Sequence, residues 1–151
     1  MNRDTKMELM IESSSENEGL ARTCVAAFVT RLDPTMEEMA DIKTAVSEAV
    51  TNCIIHGYEQ QKGMIHIRCQ ISGRKVRVEV EDAGVGIRDI RQAMEPLYTS
   101  KPELERSGMG FSFMQAFMDE LAVTSEPGCG TRVVMEKEIG KAGLYGHSGT
   151  D

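Results

Sequence analysis

Lys75-Val76-Arg77-Val78-Glu79-Val80-Glu81 alternates charged and apolar residues, then runs directly into Asp82-Ala83-Gly84-Val85-Gly86. A period of two over seven residues marks a half-buried β-strand, and the two glycines behind it mark a sharp turn. An aspartate at a strand end can accept a hydrogen bond from an amino group such as that of adenine. The glycines let the backbone approach a flat ring closely. A tight strand-to-helix connection without a ligand would read the same way, so the segment needs partners elsewhere in the chain.

Outward from this strand, Met64-Ile65-His66-Ile67-Arg68-Cys69-Gln70-Ile71 alternates as well, and Ser72-Gly73-Arg74 joins the two runs as a hairpin. Upstream the period is helical. Met7–Glu12 reads as an opening strand. Ser15, with Glu18 three residues on, forms a capping box for a first helix ending near Leu32-Asp33. Asp33 is the expected N-cap of a second, long helix with Pro34 in its first turn and Gly57 as its stop. Met36, Met39, Ile42, Ala45, Val46, Ala49, Val50, Cys53 and Ile54 form its apolar stripe. Downstream, a short helical stretch lies around Arg88–Met94, and residues 95–107 show no periodicity, as expected of a functional lid or a disordered loop. Met109–Leu121 reads as a third helix, with closing strands over Ala122–Ser125 and Thr131–Glu138. The domain is expected to span residues 1–139, with 140–151 a glycine-rich, disordered tail.

The long helix carries Glu48-Ala49-Val50-Thr51-Asn52. Glu48 and Asn52 stand four apart and share a face. An Asn oxygen can ligate magnesium, which takes oxygen ligands and keeps several waters, and Glu48 can take a proton from an attacking hydroxyl or water. The alternative is an ordinary solvated helix face. Gly108-Met109-Gly110 sits where the irregular loop enters a helix, a place whose free N–H groups favour phosphate. Lys101 and Arg106 can neutralise phosphate charge there, or can be plain surface cations. Gly130-Thr131 opens the last strand, where the Thr131 hydroxyl could reach adenine or a water beside Asp82. No G-x-x-x-x-G-K-S/T sequence exists, and Phe113 occupies the third position of a would-be dinucleotide fingerprint.

Composition narrows the class. The chain has 151 residues, 40% hydrophobic and 27% charged, enough for one domain with a core. A net charge of −7 argues against general nucleic-acid binding. Cys24, Cys53, Cys69 and Cys129 have no metal or disulfide spacing and read as buried or partly buried thiols. With no apolar run of membrane-spanning length and no signal peptide, a cytoplasmic location is expected. His56 reads as structural at a helix end, and the 11 methionines as core filler.

Glu-x-x-x-Asn on a helix, Asp-x-Gly-x-Gly after a strand, a lid and Gly-x-Gly before a helix resemble the GHKL ATPases. The resemblance implies an α/β sandwich of the GHKL (Bergerat) type, with three main helices on one face of a mixed β-sheet and ATP between helices and lid. Ser15-Glu16-Asn17-Glu18, Ala21-Arg22, Val46–Asn52 and the lid stretch Pro96–Gly110 are more specific. They resemble the small serine kinases that act as anti-sigma factors, in their sporulation form. That likeness implies a homodimer that, loaded with magnesium and ATP, sequesters a sigma factor of RNA polymerase. It also implies phosphorylation of a serine on an anti-anti-sigma protein. Carried over, Glu48 is the catalytic base and Asn52 the magnesium ligand. Asp82, Gly84, Gly86 and Thr131 hold adenine. Ser107, Gly108, Met109 and Gly110 hold phosphates, Arg106 contacts the γ-phosphate, Thr99, Ser100 and Lys101 complete the nucleotide site, and Glu18 and Arg22 meet the protein partners. The general-stress anti-sigma kinases and a nucleotide-gated binding module without phosphotransfer are the alternatives.

Overall fold

The computed structural model describes residues 4–95 and 110–140. Five strands form one sheet in the order β1-β2-β3-β5-β4: β1 Thr5–Glu12, β2 Met64–Ser72, β3 Lys75–Asp82, β4 Glu120–Ser125 and β5 Thr131–Glu138. The helices are α1 Glu16–Val29, α2 Met36–Asn52, the short α3 Ile90–Ala93 and α4 Gly110–Phe117. A 3₁₀ turn, Thr30–Leu32, extends α1, and a π-helical turn, Cys53–Gly57, extends α2.

The α/β sandwich is as expected, but its sheet is antiparallel throughout rather than mixed. Connection parity explains the difference. Two helices, α1 and α2, lie between β1 and β2, and an out-and-back helical hairpin returns the chain in the opposite direction. Between β3 and β4 the one substantial described helix is α4, so those strands run the same way, yet β5 folds back by a hairpin into the gap between them. Every hydrogen-bonded neighbour is therefore antiparallel.

The alternation sorts the sheet's two faces. Ile65, Ile67, Cys69, Ile71, Val76, Val78, Val80, Val133 and Met135 are buried under the helices, and α2 lays Ile42, Ala45, Val46, Ala49 and Val50 on them. Each such Ile or Val withdrawn from water contributes about 1.5–3 kcal/mol before entropy is counted. On the other face Glu79 is only 5% exposed, because Arg68 (2.7 Å), Arg132 (2.9 Å) and, at 3.7 Å, Arg77 reach over it from three strands. The Arg132 hydrogen bond foremost holds the Glu79 carboxyl below its ordinary range, against the effect of burial.

Helix starts differ from expectation. Ser15 makes no side-chain cap, and Glu18 turns instead to Arg22 at 3.1 Å. Asp33 takes a left-handed conformation (φ 50°), and Thr35 caps α2, its side chain accepting from Glu38 N while Glu38 accepts from Thr35 N. The other Glu38 oxygen accepts from Gly140 N at 2.9 Å, so one buried carboxylate holds both the start of α2 and the chain beyond β5. The third helix, described from Gly110, stops at Phe117 rather than Leu121, because Asp119 N already pairs with Glu136 O and β4 begins at Glu120. Cys129 is exposed, unlike the other cysteines. The expected disordered tail, apart from Gly140, lies outside the described residues.

Candidate functional site

Asp82 ends β3 and pairs in register with Thr131, the first residue of β5, which pairs with Ser125, the last of β4. Three strands thus place Asp82, Thr131 and Ser125 in one row. Cross-strand neighbours project to the same face. Asp82 and Thr131 are both buried on the helix side, 6% and 7% exposed.

The Asp82-Ala83-Gly84-Val85-Gly86 turn is clamped on two sides. Against α2, Val85 N donates to Gly57 O at 2.9 Å, and a Cβ on Gly84 would lie 2.9 Å from Gly57 Cα and closer still to its carbonyl. On the other side Gly128 N donates to Val85 O at 2.6 Å, and Gly86, at φ 78°, fits a left-handed position that a side chain strains. Tyr58 adds a third tie: its hydroxyl accepts from Ala83 N at 2.8 Å and donates to Met64 O at 2.6 Å.

The π-helical turn is what brings α2 to this loop. Tyr58 N reaches back five residues to Cys53 O at 2.8 Å, and the widened turn presents the Gly57 carbonyl to the loop and the Cys53 thiol to Asp82. Such single π turns recur at functional sites.

Burial pushes the Asp82 carboxyl above its ordinary value. The Gly84 N–H, the Cys53 thiol and the Thr131 N–H oppose that rise by donating to it, and the Glu81 charge adds to it. Gly84 N donates to Asp82 Oδ1 at 2.8 Å. Burial foremost, then the Asp82 charge, raises the Cys53 thiol well above its usual range, so it is a hydrogen-bond donor and not a thiolate nucleophile.

Glu48 and Asn52 are half-buried on α2, and Asn52 immediately precedes Cys53, the residue that meets Asp82. An Asn in an apolar helix is easier to place here, because Asn52 is the last α-helical residue before the π turn. Arg22, on α1, sets its Nη1 3.1 Å from Glu18 Oε2 and 3.3 Å from Ser47 Oγ, beside Glu48. The structure therefore gathers Asp82, Gly84, Gly86 and Thr131 at the end of β3, and joins that end to the end of α2 that carries Asn52. Gly110 opens α4. Thr99, Ser100, Lys101, Arg106, Ser107, Gly108 and Met109 lie outside the described residues.

Three residues escaped the sequence reading. Tyr58 stands just past the presumed helix stop, and Cys53 was assigned only to the apolar stripe. Ser125 had no signal at all, since its place beside Thr131 depends on β5 entering between β3 and β4. Of the histidines, His66 donates or accepts between Glu8 (2.7 Å) and Arg68 (2.9 Å) on the open sheet face.

Residues 11–137 match the family model described as a histidine kinase-like ATPase domain. An anti-sigma F factor of Thermoanaerobacter sp. is 63% identical over 89% of this chain and 94% of its own length. One from Clostridium kluyveri is 58% identical over the same shares. The solved structure of RsbU and RsbW domains from Mycobacterium tuberculosis superposes with a TM-score of 0.63 at 18% identity, over 89% of this chain and 32% of that one. The last similarity concerns the fold alone.

Proposed function

We infer, given that this chain belongs to the anti-sigma F factor family and carries a histidine kinase-like ATPase domain, that it sequesters a sigma factor of RNA polymerase under the control of bound ATP. On the same reading it is a serine kinase of the sporulation type, acting on an anti-anti-sigma protein, and it works as a homodimer. The observation that carries this is the joint between β3 and α2. A buried carboxyl that accepts a hydrogen bond from Gly84 N lies against the helix end bearing Asn52, one turn from Glu48.

The residues present suit magnesium-ATP. Asp82, supplied with donors by Gly84, Thr131 and Cys53, keeps acceptor capacity for an amino group on a base edge. Among the described residues no group of three or more His, Cys, Asp or Glu could hold a metal. A cation at Asn52 would take its side-chain oxygen together with phosphate and water oxygens, the kind of coordination magnesium favours.

Magnesium-ATP supplies the phosphoryl group. Asp82 and Thr131 would hold the adenine edge, with Gly84 and Gly86 letting the backbone lie close to the ring. Asn52 would hold magnesium, and Glu48 would take the proton from the attacking serine hydroxyl. Thr99, Ser100, Lys101, Arg106, Ser107, Gly108, Met109 and Gly110 would surround the phosphates. Positioning and electrostatics account for most of phosphoryl-transfer catalysis, so this short set suffices. Glu18 and Arg22, held together on α1, would present the surface for sigma and its competitor. Through Ser47, Arg22 is in contact with the catalytic helix.

The test is transfer of label from radioactive magnesium-ATP to a small anti-anti-sigma protein, with Glu48→Gln alongside. Labelled serine with the wild type only supports the reading. ATP binding with no transfer by the wild type would refute the kinase and leave a nucleotide-gated binding module.

A further inference from the structure

We propose that Ser125 sets the base specificity of this site by fixing the direction of the Thr131 hydroxyl. The proposal rests on reading the Asp82 end of β3 as the pocket for a nucleotide base. Ser125 Oγ has three partners: Ile87 N at 2.7 Å, Gly130 O at 2.8 Å and Thr131 Oγ1 at 2.8 Å. A serine hydroxyl offers one proton and two lone pairs. The Ile87 N–H can only donate, so it takes one lone pair. The Gly130 carbonyl can only accept, so it takes the proton. One lone pair is left for Thr131, which must therefore donate its own proton to Ser125.

The consequence falls on the other side of Thr131. With its proton committed, the Thr131 oxygen has only lone pairs to offer the pocket. Asp82, next to it in the row, accepts from Gly84 N at 2.8 Å and is likewise an acceptor. Two acceptors side by side recognise an exocyclic amino group, as on adenine, and repel a carbonyl in the same place, as on guanine or hypoxanthine. Ser125 touches no base on this account; it is a positioning residue that acts through Thr131. Its remaining bonds, to Ile87 and Gly130, keep the two loops flanking Asp82 at a fixed spacing, so the hydroxyl chain cannot reverse without leaving a partly buried polar group unpaired.

The measurement is the affinity of the full chain for magnesium-ATP and magnesium-ITP, which differ in amino against carbonyl at the recognised position. Ser125→Ala frees the Thr131 proton to turn toward the base. It should lower the ATP-to-ITP preference by about tenfold, the effect of exchanging one favourable hydrogen bond for a mismatched one. Ser125→Thr keeps the hydroxyl and should keep the preference. Thr131→Val should lose a similar part of it, and Ser125→Ala added to Thr131→Val should lose no more. The proposal is overturned if Ser125→Ala weakens both nucleotides in parallel, as a merely loosened turn would. It is also overturned if the double variant loses preference additively. Should Ser125→Ala fail to fold, an unaltered preference in Thr131→Val overturns it independently. Asp82→Asn separates the two levels. ATP affinity unchanged in that variant refutes the base pocket itself, whereas a loss there with Ser125→Ala unchanged refutes only the role of Ser125.

Discussion

Gly84→Ala probes the joint on which the site depends. Gly84 does not need a left-handed conformation, so alanine there introduces a steric problem and no backbone strain of its own. The new methyl would fall 2.9 Å from Gly57 Cα and nearer to the Gly57 carbonyl, all backbone atoms inside the π turn and unable to rotate away. The loop has to lift, and the Val85 N to Gly57 O bond lengthens or breaks. Overpacking of this kind costs about 1–3 kcal/mol and the hydrogen bond about 1 kcal/mol. About 3 kcal/mol in a domain of this size lowers Tm by about 6–12 °C. Because the loop carries Asp82, ATP affinity should fall by more than about tenfold, or about 1.4 kcal/mol. Thermal melts and calorimetric titration measure both quantities. Gly73→Ala is the control: it lies in the β2–β3 turn at φ 61° with nothing within 4 Å, so it meets strain and no clash. It should lose about 1 kcal/mol and leave ATP affinity alone. A Gly84→Ala protein with wild-type Tm and ATP affinity, or two alanine variants that behave alike, would refute the reasoning.

Asp82→Asn should raise Tm at neutral pH while abolishing tight ATP binding. A carboxyl whose folded pKa is raised destabilises the fold once ionised, and the penalty is relieved as pH falls below the folded and then the unfolded value. The advantage of the asparagine variant in a melt should accordingly shrink in acid; a gap that widens there would contradict the burial argument. Glu79 has the opposite sign. Its folded pKa is lowered, so its contribution is present above the unfolded value of about 4.3 and lost as pH falls through the folded one. Glu79→Gln should be least stable relative to wild type above about pH 5, and denaturation curves that stay parallel down to pH 2 would count against it. Arg22→Glu places two carboxylates four residues apart and removes the contact to Ser47. It should weaken capture of a sigma factor by about tenfold or more with ATP affinity unchanged, and undiminished capture in a pull-down would move the partner surface elsewhere.

Much of this architecture is legible in the sequence because period and side-chain type are local properties. The strands around Ile67 and Val78 declare themselves by alternation, and Ile42, Val46, Ala49 and Val50 by helical spacing. Asp82 and its glycines announce a turn whose chemistry depends on a short stretch of chain. What was misread depended on competition or on order in space. Ser15-x-x-Glu18 and Thr35-x-x-Glu38 have the same capping pattern, and only the structure shows that Arg22 draws Glu18 away from the first. The π turn at Cys53 has no periodic signature. Glu79 alternates onto the open face as expected of a charged residue, yet it is buried because three strands supply arginines to one point. Ser125 becomes visible only once β5 is known to lie between β3 and β4.

The order of the strands also bears on how the fold is completed. β2–β3 and β4–β5 are hairpins, closed by short turns, whereas the pairing of β3 with β5 joins Lys75 to Glu138 and Asp82 to Thr131 across a long intervening stretch. Loop-closure entropy leaves that seam, like the pairing of β1 with β2, little helped by local contacts. Asp82 comes from one hairpin, Thr131 and Ser125 from the other, so the proposed base pocket is assembled only when the seam is shut. A nucleotide held there acts as a clasp between two halves, adding about 2.7 kcal/mol at a hundredfold excess over its Kd. Amide hydrogens along β3 and β5 should then exchange more slowly in the loaded protein, and those of the two turns should be nearly indifferent to it.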